Sequence, residues 1–359
     1  MPTATAYFAQ PKLLIDGQSN DLVAGDLVAV LVEETTAGLY YCELRLNNFG
    51  QRQQGIGFLY FGRDVLDFGK EIAVQAGPPG SLATIFQGRI SAIEASYHPD
   101  GDVQMAVLAE DRLQDLRMTR RTRTFEEVSD EDVLRQIAGE HGLTPEMSLD
   151  GPTHPVLAQV NQSDLAFMRE RARAIGAELW VEGTTLHCQS RSERDASSVD
   201  LEYGVNLMAF TVRADLAHQC TELGVAGWDV GAKEAIDETA DDSVVSSELN
   251  GGTSGASVLE EALLARQERL VHSAPRSVSE ARGEVEARFR ERARRFVTGS
   301  GVSDGDPRIR VGCSVNVAAV GSLFNGSYYV SGVRHLYDGN RGYRTEFDVE
   351  RPGIGPAEA

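Results

Sequence analysis

"NQSDLAFMRERARAIGAELWVEG" (residues 161–183) carries three structural signals in one stretch. Asn161 or Ser163 can cap a helix; Leu165, Met168, Ala172 and Ile175 then fall on one face, and Arg169, Glu170, Arg171 and Arg173 lie mostly on the other. Gly176 sits where a left-handed residue ends a helix, and "AELWVEGTTLHCQS" continues as a hairpin. Upstream, Ser129 and Asp132 have the spacing of a capping box ahead of a stripe of Val133, Ile137 and Ala138 that Gly142 can end. The stretch thus centres a small α+β domain over residues 119–203.

On both sides the period shortens to two. In "LYYCELRLNN", Tyr40, Cys42, Leu44 and Leu46 alternate with Tyr41, Glu43 and Arg45, as in a half-buried strand. "EIAVQAG", "LATIFQGRISAIEASY" and "VQMAVLAED" follow, broken by the turn signals "GPPG" and "HPDG", so residues 1–118 read as an antiparallel barrel or sandwich. Strand texture returns over 204–232, ending in "GVAGWDVGAKEA", and again over 298–351, where Val311, Cys313, Val315 and Val317 alternate. These two segments form a second barrel-like domain.

Between them, 233–297 reads as an insertion. "DETADDSVVSSELNGGTSGAS" is acidic and poor in large apolar residues, the composition of a mobile loop. It lacks the alternating ligands and closing Glu of a calcium loop. Two helices are expected next. The first spans about 256–272 with Val258, Leu259, Ala262, Leu263 and Leu270; the second opens on a Ser277/Glu280 capping box and carries Val278, Ala281, Val285, Phe289 and Phe296 on a stripe. Arginines on its other face are interleaved with glutamates, which suits a solvated or subunit-facing helix better than a phosphate strip. Residues 352–359 read as a tail.

A net charge of −20, with three lysines among 34 basic residues, argues against a sequence-specific nucleic-acid reader or a docker on anionic membranes. No stretch approaches the roughly 18 apolar residues that span a bilayer, and "MPTATAYFAQPKLLIDG" lacks a basic region followed by an apolar run, so a soluble, cytoplasmically made protein is expected. Four scattered cysteines, Cys42, Cys188, Cys220 and Cys313, read as free packed thiols; His187 with Cys188 and His218 with Cys220 lack the paired spacing of a zinc site. GxSxG, a phosphate loop and HExxH are absent; "GIGFLYFG" lacks the following helix of a dinucleotide loop. His98, His141 and His335 stand without partner motifs, and Glu126 with Glu127 or Asp241 with Asp242 read as solvated runs. Catalytic residues, metal ligands and cofactors are therefore expected to be none.

The stretch that opened this reading resembles the ESDL-type helix of the contractile-tail hub family, which includes phage late control protein D and the amino-terminal part of type VI secretion VgrG. Its family positions here are Ser163, Asp164, Leu165, Phe167, Met168 and Gly176; Gln162 replaces the usual acidic residue. "IFQGRISAIE", "VAGWDVGAKEAI" (Gly227, Trp228, Asp229) and "GSYYVSGVRHLYDGNRGYRTEFDVER" (Gly326, Tyr328, Val330, His335, Gly342, Tyr343, Thr345, Phe347) agree in the same order. The resemblance implies an α+β, mainly β fold: two barrel-like tube-docking domains, a small α+β domain and a helical insertion. It implies a homotrimeric baseplate hub of a phage tail or contractile injection particle, adapting a three-fold spike to a hexameric inner tube and touching baseplate wedge or adaptor proteins. The spike is then a separate protein, and part of the acidic charge is expected to line the bore. A peptidoglycan-cleaving tail-tip enzyme is the alternative, and it would need a carboxylate pair or zinc motif. A carbohydrate-binding β protein would need exposed aromatics, whereas Trp180 and Trp228 both lie in apolar strand contexts that read as core.

Overall fold

The computed structural model describes residues 10–52, 55–78, 80–97, 99, 103–194 and 197–355. His98 and the end of the tail, 356–359, lie outside the described residues.

The chain opens with β1 (Lys12–Ile15), β2 (Gln18–Ser19), α1 (Asp21–Gly25), β3 (Leu27–Thr35), β4 (Tyr41–Asn47), β5 (Phe49–Arg52), β6 (Gly55–Phe58), β7 (Glu71–Ala76), β8 (Ala83–Tyr97) and β9 (Val103–Glu110). All but β5 and β6 of these strands pair antiparallel in the order β3-β4-β9-β8-β7-β1-β2. The alternation in β4 is realised: Cys42, Leu44 and Leu46 are buried against Val30, Val32, Ile72 and Val107. β5 and β6 leave the sheet as a separate hairpin.

The middle unit contains α2 (Leu113–Arg117), β10 (Arg120–Val128), α3 (Asp130–Glu140), β11 (Thr144–Met147), β12 (His154–Ser163), α4 (Asp164–Ala174), β13 (Ala177–Glu182) and β14 (Thr185–Ser190). Ser129 and Asp132 form the reciprocal capping box of α3. Ser163, not Asn161, caps α4, accepting from the Ala166 N–H at 3.2 Å. Gly176, at φ +71°, lets the chain leave α4 in the left-handed region that costs an L side chain. Leu165, Phe167, Met168 and Ala172 of α4 enter a core with Val133, Leu134 and Ile137 of α3.

The rest comprises β15 (Ser198–Glu202), β16 (Leu207–Ala214), β17 (Glu222–Asp229), β18 (Glu234–Ala240), a 3-10 turn (Asp242–Glu248), β19 (Thr253–Ser254), α5 (Gly255–Leu263), β20 (Gln267–Leu270), α6 (Val278–Arg294), β21 (Val297–Asp304), β22 (Ser314–Ala318), β23 (Gly326–Asp338), β24 (Gly342–Arg351) and β25 (Gly353–Ile354). β16-β21-β24-β23 continues directly into β3, so one 13-stranded sheet spans both ends of the chain. β23 makes this possible by its length. Its first half pairs with β22 from Gly326 to Tyr329, and its second half pairs with β3 from Gly332 to Asp338.

The insertion departs from expectation in four places. Residues 222–229, expected in the second barrel, form β17 and pair with β18 and β20 in a sheet of their own. The acidic stretch expected to be mobile is ordered: Val245 is fully buried beneath α6, the Asp241 carboxylate caps the Ser243 N–H at 3.0 Å, and Glu248 takes Arg294 at 2.7 Å. Average composition concealed one apolar anchor and several polar groups with local partners. The helix expected to reach residue 272 ends at Leu263, because the free edge of β17 recruits 267–270 as a parallel strand. In α6 Ser277 accepts from the Glu280 N–H, but the Glu280 carboxylate accepts from the Arg276 N–H rather than that of Ser277, and Val278 is exposed rather than on the buried stripe.

Candidate assembly site

Three units meet around charges buried at the ends of regular elements. Asp164, the first residue of α4, is 1% exposed and lies 3.0 Å from Arg123, 2.9 Å from Gln159 and 2.8 Å from His141. Burial raises its pKa, but these hydrogen bonds and the charges of Arg123 and Arg121 outweigh that and hold it below the usual carboxylate range. Asp130 repeats the arrangement at the start of α3, where Arg171 and His154 overcome burial and lower its pKa. The sequence pattern gives Ser163 a capping role and places Arg169 on the outer face of α4. Asp164 is a buried hub of hydrogen bonds, and Arg169 crosses to the first unit to donate to the Gly38 carbonyl at 3.1 Å.

A second cluster ties the middle unit to the large sheet. Glu178 on β13 accepts from Arg191 and Arg194, each at 2.8 Å, and from the Tyr329 hydroxyl of β23. Arg191 also reaches Glu350 of β24 at 2.6 Å and lies 4.0 Å above the Tyr329 ring; Arg194 lies 3.9 Å above Trp180. Burial and then the Glu178 charge push the Tyr329 phenol up, keeping it a donor. The third tie is Glu34 on β3, 1% exposed, which pairs with Arg310 and accepts the Val311 N–H at 3.1 Å. Arg310 donates also to the Thr84 carbonyl at 3.2 Å, so it clamps β8 as well. Burial raises the pKa of Glu34 against the opposing pull of Arg310.

The family-signature positions fall into three places. Ser163, Asp164, Leu165, Phe167, Met168 and Gly176 make the cap, the core face and the stop of α4. Gly326, Tyr328, Val330, His335, Gly342, Tyr343, Thr345 and Phe347 lie on β23 and β24. There the Tyr328 hydroxyl donates to the Phe324 carbonyl at 2.6 Å, and the His335 Nδ1 lies 2.9 Å from the Tyr343 hydroxyl and 3.3 Å from Thr345 Oγ1. Burial, and then the charge of Arg310, push the His335 imidazole down to about 3, so it is a neutral core residue. Gly227, Trp228 and Asp229 stand apart on β17: a Cβ on Gly227 would come within 2.3 Å of the Pro275 carbonyl oxygen, and Asp229 accepts the Gly231 and Ala232 N–H groups of the hairpin turn. Trp228 was expected in the core and is 55% exposed, because its strand belongs to the small sheet and turns that face outward.

Glu34, Glu178, Arg191, Arg194 and Arg310 were not singled out in the sequence. One signal existed: Glu34 shares its strand face with Val30 and Val32, so a carboxylate sits at an inward position and requires a buried partner. Among the described residues no group of three or more His, Cys, Asp or Glu is arranged to hold a metal, and no helix is long and apolar enough to cross a membrane.

Outward-facing apolar side chains collect on the β5–β6 hairpin and the loop after it. Phe49, Ile56, Phe58, Phe61 and Phe68 are all exposed, with Phe58 5.8 Å from Phe49 and 4.9 Å from Phe61 between ring centroids. Contiguous aromatic surface of this kind marks interaction sites more often than it stays bare.

The family model described as the Alg8 N-terminal domain matches residues 12–338. The chain belongs to that family. No curated protein matches it. Among solved structures it is similar to the 43 kDa tail protein of prophage MuSo2 from Shewanella oneidensis, at 13% identity and a TM-score of 0.70, over 96% of this chain and 99% of that one. The tail protein from Neisseria meningitidis MC58 gives 11% identity and a TM-score of 0.68, over 97% and 98%. An E. coli component of the type VI secretion system, described as structurally similar to T4 bacteriophage tail proteins gp27 and gp5, gives 11% identity and a TM-score of 0.59, over 97% and 80%. The family member therefore shares the mainly β fold of these tail proteins.

Proposed function

We propose that the chain is a structural, non-enzymatic baseplate hub of a phage tail or contractile injection particle, assembled as a homotrimer between a three-fold spike and a hexameric inner tube. The observation that carries the reading is the continuous sheet in which β23 joins strands from the two ends of the chain, taken on this reading as two barrel-like halves. One barrel-like half from each end, in each of three copies, then supplies six docking positions, which is what a six-fold tube requires of a three-fold adaptor. Full-length likeness to solved tail proteins supports the same reading. On it, residues 1–118 and the 298–351 strands dock the tube, and the middle domain and insertion face wedge or adaptor proteins. The signature residues act by packing, and part of the acidic surface lines the bore. Imaging tail particles made with and without the gene tests the assignment: absence is expected to stop sheathed particles from forming, and normal particles would refute it. A neutral or basic lumen in the assembled ring would remove the charge component.

A further inference from the structure

A cationic cavity of about 700 Å³ lies in this −20 chain between α6, the start of β21, the end of β16 and the segment after β20. Five arginines line it against three acids, Asp215, Glu284 and Glu291. Two of the five, Arg269 and Arg292, are committed to Asp237 and Glu268. The other three are under-compensated. Arg288 and Arg295 share the single carboxylate of Glu291, each at 3.3 Å, and Arg213 has no ion-pair partner among the described residues. Two of the acids are already engaged, since Glu284 accepts from Ser273 and Asp215 accepts the Ala217 N–H. Arginine forks with spare donors fit carboxylates in pairs.

A second feature of the wall specifies the shape of the occupant. β20 pairs with β17 on one side and is the edge of its three-stranded sheet, and Arg269 and Leu270 of β20 line the cavity together with Val271. Val271 is 79% exposed. An open edge beside an apolar contact and free guanidinium groups is the requirement for adding an extended peptide as a further strand.

We propose that this cleft receives an extended acidic segment of a partner protein, added at the free edge of β20 with its carboxylates held by Arg213, Arg288 and Arg295. The inference stands on the cleft and does not depend on the hub reading. A nucleic-acid strand fits the cleft less well, because no Phe, Tyr or Trp lines it for base stacking and the chain as a whole repels a long polyanion.

The test is binding of the full chain to a labelled peptide of about ten residues alternating Glu and Val, compared with a Gln/Val peptide and with oligothymidine of the same length. The Glu/Val peptide is expected to bind at least about tenfold more tightly than the other two, more weakly as salt rises, and about tenfold or more less tightly to R213A/R288A/R295A at unchanged melting temperature. Absence of Glu/Val binding, equal binding of the Gln/Val peptide or oligothymidine, or full binding by the triple variant would overturn the proposal. Concentration-dependent self-association that R288E/R295E abolishes would also overturn it, assigning the cleft to a second copy of the chain.

Discussion

Where β3 and β13 meet the segments around β23 the Glu34 and Glu178 carboxylates are buried in their ion pairs, whereas on α6 the arginine–glutamate pairs are mostly exposed and half of them join neighbouring turns. Glu34 with Arg310 and Arg191 with Glu350 connect residues far apart in sequence, Glu178 takes Arg191 and Arg194 within the middle unit, and the Glu34 and Glu178 carboxylates have at most a tenth of their surface in water. Glu286 with Arg290, and Glu291 with Arg288 and Arg295, are three or four residues apart, with side chains 30% to 62% exposed. The same residue types therefore fix geometry in one region and leave it adjustable in the other. A buried pair costs desolvation and tolerates no loss of one partner, while an exposed pair is screened and replaceable. Three α6 arginines reach glutamates of other elements, Arg282 with Glu238, Arg292 with Glu268 and Arg294 with Glu248; the last pair is the most buried and pins the acidic stretch.

The sharpest break of this contrast is Glu34→Ala. It strands Arg310 and the Val311 N–H at the seam where the segment before β22 packs on β3, with an expected loss of about 3 kcal/mol or more. Chemical denaturation measures it, and a loss below about 1 kcal/mol would show the seam to be water-compensated. Leu165→Ala is the apolar counterpart in the middle unit, where the side chain is 2% exposed; about 2 to 5 kcal/mol is expected. Little change there would mean that the α4 core relaxes around the gap.

Much of this was legible. Alternation marks the inward face of β4, and the caps at Ser129 and Ser163 mark two helix starts, because these signals act within a few residues. The order of four signature blocks carried the fold class. What sequence concealed is non-local: that β23 serves two partners, that β17 leaves for a small sheet, and that the edge of β17 captures 267–270 from an expected helix. Trp228 fell on the wrong side for the same reason, since the exposure of a strand residue depends on which sheet recruits its strand.

Acid titration separates the groups at the seam. His335 is neutral in the folded chain down to about 3 and binds a proton near its ordinary 6.5 once unfolded, so its contribution is complete above 6.5 and is lost as pH falls towards 3. Asp111 opposes it: burial, against the Tyr40 and Leu113 N–H bonds, raises it to about 7, so its ionisation weakens the fold as pH rises from 3.8 to 7. Wild type alone therefore gives a flattened profile in that window. The stability difference between wild type and H335Q is expected to grow with pH between 3 and 6.5, and a constant difference would mean that His335 is solvated. Asp130 and Asp164, both held low, add a loss of stability that starts only below 3.8.

Glu286→Ala should have the smallest effect. Its carboxylate meets Arg290 at 2.8 Å one turn along α6, with both side chains about 30% exposed, and Arg290 keeps a second acceptor in the Val244 carbonyl at 3.3 Å. Pairs of this spacing contribute about 0.3 to 0.5 kcal/mol, and salt screens most of that. A loss within that range, vanishing in high salt, is expected from thermal unfolding. A loss near that of Glu34→Ala would erase the contrast between the two regions, because it would make α6 a fixed strut rather than a helix whose outer charges are free for a partner.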